Sequence, residues 1–157
     1  MISEDSSAVL KIYKMGIDTH NATFETVVPS WTDWGSNHLK HSRFLYTENE
    51  KVLGWVALSP VSSRSAYKGV AEVSIYIDTQ MQGKGIGSLL MENVITSSEE
   101  YGIWTLFSSV FPENKATLKL HKKFNFRIIG TRERIAQMNG IWRDTIHLER
   151  RSTKVGI

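Results

Sequence analysis

The chain has 157 residues, 41% hydrophobic and 22% charged, a balance that suits one globular domain and excludes a disordered chain. Its 19 basic and 16 acidic residues leave a net charge of +3, and the densest basic groups, at 119–123, 127–134 and 149–151, read as solvated surface rather than a nucleic-acid face. It contains no cysteine, which removes disulfides, thiolate metal sites and a cysteine nucleophile.

No apolar run reaches the ~18 residues of a membrane span, and Met1-Ile2-Ser3-Glu4-Asp5 does not open a leader peptide. A cytoplasmic protein is therefore expected. A first helix is predicted over residues 6–17, with Val9, Ile12, Tyr13 and Ile17 at helical spacing and Ser3 or Ser6 as cap. Residues 18–36 are mixed in character and carry Phe24, Trp31 and Trp34, with Thr32 placed to cap a second helix reaching about His41. Residues 43–47 and 51–58 read as a hairpin across Glu48-Asn49-Glu50, and 59–69 as a loop.

The strand predicted at 71–77 alternates cleanly: Val73, Ile75 and Ile77 on one face, Glu72, Ser74 and Tyr76 on the other. A glycine-rich loop then opens a helix over 85–100, with Ile86, Leu89, Leu90 and Val94 as its buried stripe. A buried strand at 103–109 follows. Asn114 suits the N-cap of a short helix ending near Lys123. Strands at 127–136 and 141–148 join through Asn139-Gly140, a strong tight-turn signal. This order describes a single mixed α/β (α+β) domain over 1–157, with a mostly antiparallel central sheet flanked by helices.

The segment richest in chemistry is the strand ending at Ile77, followed by Asp78-Thr79-Gln80-Met81 and then Gln82-Gly83-Lys84-Gly85-Ile86-Gly87-Ser88. Glycines let the backbone turn tightly and approach a ligand, and the free N–H groups of the helix start favour a phosphate. A Walker loop would need Ser or Thr after its lysine, but Gly85 follows Lys84. A dinucleotide fingerprint would need a third glycine where Ser88 stands, in an early parallel unit. Gln82, Gly85 and Gly87 fit instead the Q/R-x-x-G-x-G/A pattern of GNAT acetyltransferases.

Nearly the whole chain resembles that superfamily, and within it the phosphinothricin and methionine sulfoximine N-acetyltransferase group. The matching stretches are Asn21-Ala22-Thr23-Phe24-Glu25-Thr26, Gly54-Trp55-Val56-Ala57-Leu58-Ser59-Pro60, Arg64 with Ala66-Tyr67, the strand and glycine loop, residues 114–121, and Gly140-Ile141-Trp142-Arg143-Asp144. The resemblance implies a GNAT fold and an acetyl-CoA-dependent N-acetyltransferase acting directly on a small amino-acid-like amine, with no metal. It implies that Gln82, Gly83, Lys84, Gly85, Ile86 and Gly87 hold the coenzyme A pyrophosphate. Backbone groups of Ser74, Ile75 and Tyr76 would face the pantetheine arm, and Asn114 would contact coenzyme A.

Acetyl transfer needs a neutral amine, a polarised carbonyl and a protonated leaving thiolate. Glu72 is the candidate base, against the plainer reading of an ion pair with Arg64 or Lys68. His121 stands where many GNAT enzymes have a tyrosine general acid, against the plainer reading of a packed core histidine. Arg64, with Ser62 and Ser63, suits the carboxylate of an acceptor, and Phe24, Trp31, Trp34 and Tyr67 would wall its pocket. Relatives are commonly homodimers, and Trp142 and Ile146 are candidates for such an interface. Two departures stand out. Only Met1-Ile2 remain of the usual first strand, so it is expected to be stunted or absent. Asn125 replaces a usual glycine at a left-handed position that Asn tolerates. The rival readings are a GNAT enzyme for a polyamine, antibiotic or protein N-terminus, or a non-catalytic acyl-CoA sensor.

Overall fold

The computed structural model describes residues 1–157 and places six strands in one sheet. They are β1 (Phe44–Glu48), β2 (Lys51–Pro60), β3 (Val70–Ile77), β4 (Thr105–Val110), β5 (Arg127–Met138) and β6 (Ile141–Arg151). Their spatial order is β1-β2-β3-β4-β6-β5. Only β3 and β4 run parallel; every other pair is antiparallel. The four helices are α1 (Ser6–Asp18), α2 (Trp31–Asn37), α3 (Ile86–Glu100) and α4 (Lys115–Lys123).

β2 lies inside the sheet, and the run Leu53, Gly54, Trp55, Val56, Ala57 and Leu58 is buried throughout, which explains its continuous apolar sequence. One face of the sheet packs on α3: Val56, Leu58, Ala71, Val73, Leu106 and Leu148 meet Ile86, Leu90, Met91, Val94 and Ile95. The other face packs Trp55 and Ala57 against Val9 and Ile12 of α1 and Trp34 of α2. Trp55 Nε1 donates to the Val9 carbonyl at 3.1 Å, tying α1 to the sheet. The turns follow their sequences: Asn49-Glu50 and Asn139-Gly140 all have positive φ, as two-residue hairpins require. Asn125 also has positive φ (62°), as expected.

Several local expectations are corrected. Neither Ser3 nor Ser6 caps α1: a single turn at Ser3–Asp5 precedes it, closed by Ile2 N–H donating to Asp5 Oδ2 at 2.7 Å. The cap of α2 is Ser30, whose hydroxyl accepts from Asp33 N–H; Thr32 lies inside the helix, which ends at Asn37 rather than His41. Leu89 is 48% exposed, and the buried stripe of α3 passes through Met91 and Ile95 instead. Ile146 packs against the main core, whereas Trp142 is exposed. No strand precedes α1.

The feature that positions the site is a parting of neighbouring strands. β3 and β4 pair only at Val70–Thr105, Ala71–Leu106 and Glu72–Phe107. Beyond Glu72, β3 runs on to Ile77 bonded to β2 alone, and β4 runs on to Val110 bonded to β6 alone. A wedge opens in mid-sheet, and the backbone groups of β3 that point into it have no ladder partner.

Candidate active site

Two adjoining cavities fill this wedge. The first, of about 110 Å³, is lined by Glu72, Val73, Ser74, Ile75 and Tyr76 of β3, Ser108, Ser109 and Val110 of β4, Asn114, Thr117 and His121 at α4, and Ala22. The second, of about 230 Å³, is lined by Ala22, Thr23, Phe24, Glu72, Ser109, Phe111 and Thr145. Ala22, Glu72 and Ser109 belong to both. Glu72 therefore stands where the two meet.

Burial alone raises the Glu72 carboxyl above its ordinary value. The ion pair with Arg64 or Lys68 does not form: no charge or hydrogen bond offsets the burial. Tyr76, two positions along the same strand face, stacks on Trp55 at 4.9 Å and meets Tyr13 edge-on at 4.8 Å. α1 approaches it closely enough that a Cβ on Gly16 would lie 2.5 Å from the Tyr76 ring.

His121 is 1% exposed. Its Nδ1 lies 2.8 Å from the Thr117 carbonyl, and its Nε2 2.7 Å from Ser108 Oγ. A carbonyl can only accept, so the ring proton sits on Nδ1 and Nε2 accepts from the Ser108 hydroxyl. Burial lowers the His121 pKa, so the neutral ring prevails near neutral pH.

Asn114 caps α4 by accepting from Thr117 N–H at 3.2 Å, and its Nδ2 donates to the Asn21 carbonyl at 3.1 Å. Arg143 of β6 donates to the His20 carbonyl at 3.0 Å and to Glu113 at 3.2 Å, with its guanidinium 4.0 Å over Phe111. These bonds hold residues 20–24 across the wedge, so Phe24 meets Phe111 edge-on at 4.8 Å and walls the second cavity.

The glycine loop leads from β3 into α3. Asp78 accepts from Gln80 N–H at 3.0 Å to start the turn, and Gly83 and Gly85 have φ of +77° and +84°. A Cβ at either glycine would meet nothing within 4 Å, so their backbone is open to a ligand. The first free N–H groups of α3 emerge there, beside Lys84, a cradle that fits a pyrophosphate. The open edge of β3 fits the extended arm that would continue from it. Together these features suit an acyl-coenzyme A.

Of the sequence candidates, Glu72, Ser74, Ile75, Tyr76, Asn114 and His121 come together in the first cavity, and Phe24 joins Glu72 in the second. Ser62, Ser63, Arg64, Tyr67, Trp31 and Trp34 do not line either; Ser63, Arg64 and Tyr67 are exposed, Arg64 lies over its own neighbour Tyr67 at 5.8 Å, and Trp34 is core, with Trp31 stacked on it at 4.9 Å. Ser108, Ser109, Phe111, Thr117 and Thr145 were not singled out. Ser108 leaves one trace in the sequence, a polar residue between Leu106 and Val110 on the buried face of β4. No group of three or more His, Asp or Glu side chains stands close enough to hold a metal.

A half-open sheet whose wedge leads to a glycine-lined helix start is an arrangement that suits an acylated coenzyme and an acceptor for its acyl group. Residues 10–126 match the acetyltransferase (GNAT) family, and the chain belongs to it; it is an N-acetyltransferase. It is 38% identical over 142 residues to a Bacillus subtilis protein provisionally named a phosphinothricin acetyltransferase, covering 87% of this chain and 86% of that one. It is 25% identical over 99 residues to the L-methionine sulfoximine/L-methionine sulfone acetyltransferase of Pseudomonas aeruginosa, covering 63% of this chain and 58% of that one. Its fold matches the Sinorhizobium meliloti phosphinothricin acetyltransferase solved with acetyl-CoA, with a TM-score of 0.89 at 22% identity over 99% of this chain and 88% of that one.

Proposed function

We propose that the chain transfers the acetyl group of acetyl-CoA directly to the amino group of a small amino-acid-like acceptor, of the phosphinothricin or methionine sulfoximine and sulfone kind. The observation that carries this reading is Glu72, an unpaired and half-buried carboxylate at the junction of the coenzyme wedge and a phenyl-walled pocket. The names of the relatives supply the acceptor class.

The coenzyme pyrophosphate rests on residues 82–87 and its arm pairs with β3 at Ser74, Ile75 and Tyr76. Glu72 takes one proton from the acceptor ammonium, directly or through a water. The neutral nitrogen attacks the thioester carbonyl carbon, and the Ile75 N–H on the open β3 edge receives the oxyanion; the Tyr76 N–H points to Trp55 of β2. The C–S bond then breaks, and the second proton leaves the nitrogen and neutralises the thiolate. Direct donation by His121 would need a second proton on a ring that burial keeps neutral. Its part in this reading is to hold the Ser108 hydroxyl at the wedge wall.

Arg64, with Ser62, Ser63 and Tyr67, belongs to the β2–β3 connection just before Glu72, and in this reading Arg64 meets the acceptor carboxylate as it enters. A cytoplasmic setting follows from the intracellular donor. A homodimer is part of the same proposal, supported by the exposed Ile128, Ile129, Ile135, Ile141 and Trp142 of the last hairpin.

The test is thiol release from acetyl-CoA against methionine sulfoximine, methionine sulfone, phosphinothricin, a polyamine and a peptide, with Glu72→Gln beside the wild type. Turnover on the amino-acid analogues, falling about 10²- to 10⁴-fold in the variant, supports acceptor and base together. Turnover confined to the polyamine or peptide discards the acceptor class. Coenzyme binding with no turnover on any amine discards the enzyme reading in favour of an acyl-CoA sensor.

A further inference from the structure

Thr145 lies on β6, is 4% exposed, and its hydroxyl has no hydrogen-bond partner in the protein. A buried hydroxyl left unpaired weakens a fold, and valine would fill the same space without that cost. The residue that carries it is not sealed in the core. It lines the second cavity, with Phe24 and Phe111 as apolar walls and Ser109 and Glu72 as the other polar groups.

The ladder fixes where Thr145 stands. Ser109 of β4 pairs with His147 of β6, so Thr145 is its diagonal neighbour, about 7–8 Å away. Glu72 lies on the other side of Ser109, on β3. Thr145 and Glu72 thus stand on strands either side of β4, two strand spacings or about 10 Å apart, which exceeds the two bonds separating an amine from its own α-carboxylate carbon. What reaches Thr145 is the end of the acceptor's side chain, lying along the two phenyl rings that wall the cavity.

We propose that Thr145 determines acceptor specificity: its hydroxyl donates a hydrogen bond to an oxygen carried at the tip of the acceptor side chain, such as a sulfonyl, sulfoximine or phosphinyl oxygen. The inference rests on the acetyl-transfer reading of the wedge. A pocket with an unpaired buried donor selects against an acceptor of the same shape that lacks the oxygen, because the donor then stays unsatisfied.

Methionine sulfone and methionine share a skeleton and differ in the sulfonyl oxygens, so they form the matched pair. The experiment measures kcat/KM for both with wild type, Thr145→Val and Thr145→Ser, together with KM for acetyl-CoA and the melting temperature. In the valine variant kcat/KM for the sulfone falls about 10- to 100-fold. Turnover of methionine does not fall, KM for acetyl-CoA stays unchanged, the melting temperature does not fall, and the serine variant retains the preference. Equal loss on both acceptors, or no loss on the sulfone, overturns the proposal while leaving acetyl transfer intact. If wild type turns over neither acceptor, the acceptor class proposed above fails. Methionine sulfone added with coenzyme A must then still raise the melting temperature of wild type but not of Thr145→Val; no shift in wild type overturns the assignment of Thr145 as well.

Discussion

At Glu72, burial without a partner sets both the chemistry and its pH dependence. A base works ionised, and burial raises the carboxyl above its ordinary value. Activity should therefore climb with pH through a value above the usual carboxylate range, and Glu72→Gln should flatten that limb as well as lower the rate. A pH profile of kcat/KM for one acceptor, wild type beside variant, reads this directly. Glu72 was legible in the sequence because strict alternation in β3 put it on the face opposite Val73, Ile75 and Ile77. Thr145 and Ser108 were not. A hydroxyl residue in a strand is equally at home in solvent or in a pocket, and only the packing of β4 against β6 and α4 decides. His121 was legible as a position but not as a protonation state. Its tautomer depends on Ser108, which belongs to another element.

The elements that read most clearly were those with their own local chemistry: Asn114 at the head of α4, Asn139-Gly140 between β5 and β6, and the glycine loop into α3. The capping errors in α1 and α2 have one cause. Serine, threonine and aspartate crowd residues 3–6 and 30–33, so several residues were eligible; Ser30 caps α2 and no side chain caps α1. Gly85 shows how tightly the loop is specified. A Cβ there has room, but φ of +84° is unfavourable for any other residue. Gly85→Ala should cost about 1–2 kcal/mol of stability. It should also raise KM for acetyl-CoA more than KM for the amine, since the strain is relieved by moving the coenzyme cradle; steady-state kinetics with each substrate varied would show the split. Gly87 is constrained by space instead: a Cβ would lie 3.0 Å from Ile77 and 3.2 Å from Leu120, where α3 crosses β3 and α4.

At the scale of the molecule, two apolar cores clasp one sheet, and a polar network fastens the C-terminus to α3. Glu99, 8% exposed near the end of α3, receives Arg150 at 3.2 Å, Ser152 at 2.9 Å and Lys154 at 3.0 Å. Burial pushes its carboxyl up, but the bonds from Lys154, Ser152 and Arg150 and the charge of Lys154 outweigh it and leave the pKa lowered. A lowered folded pKa stabilises the protein above the unfolded value, 4.5, and the gain is lost as pH falls through the folded one. Glu99→Gln should accordingly cost about 1–3 kcal/mol at neutral pH, and the difference from wild type should shrink as melting is measured at progressively lower pH. The overall architecture was readable from the order of elements, but the order of strands was not. The insertion of β6 between β4 and β5 joins residues far apart in the chain, and no local pattern announces it.

That insertion leaves β5 at the margin. It is bonded to β6 alone, and of its 12 residues only Met138 is buried. Two register shifts interrupt its ladder, one of them at Arg134, whose N–H turns away to the Asp144 carboxylate at 2.7 Å. β6 keeps its bonds to β4 when β5 lifts, so the strand can open while the wedge and its pocket stand. In hydrogen–deuterium exchange the amides of β5 should therefore exchange early, through local opening, in a protomer whose β4 amides remain protected. Protection of β5 that grows with protein concentration would mean that a second copy lies over it, which makes this margin an internal gauge of self-association.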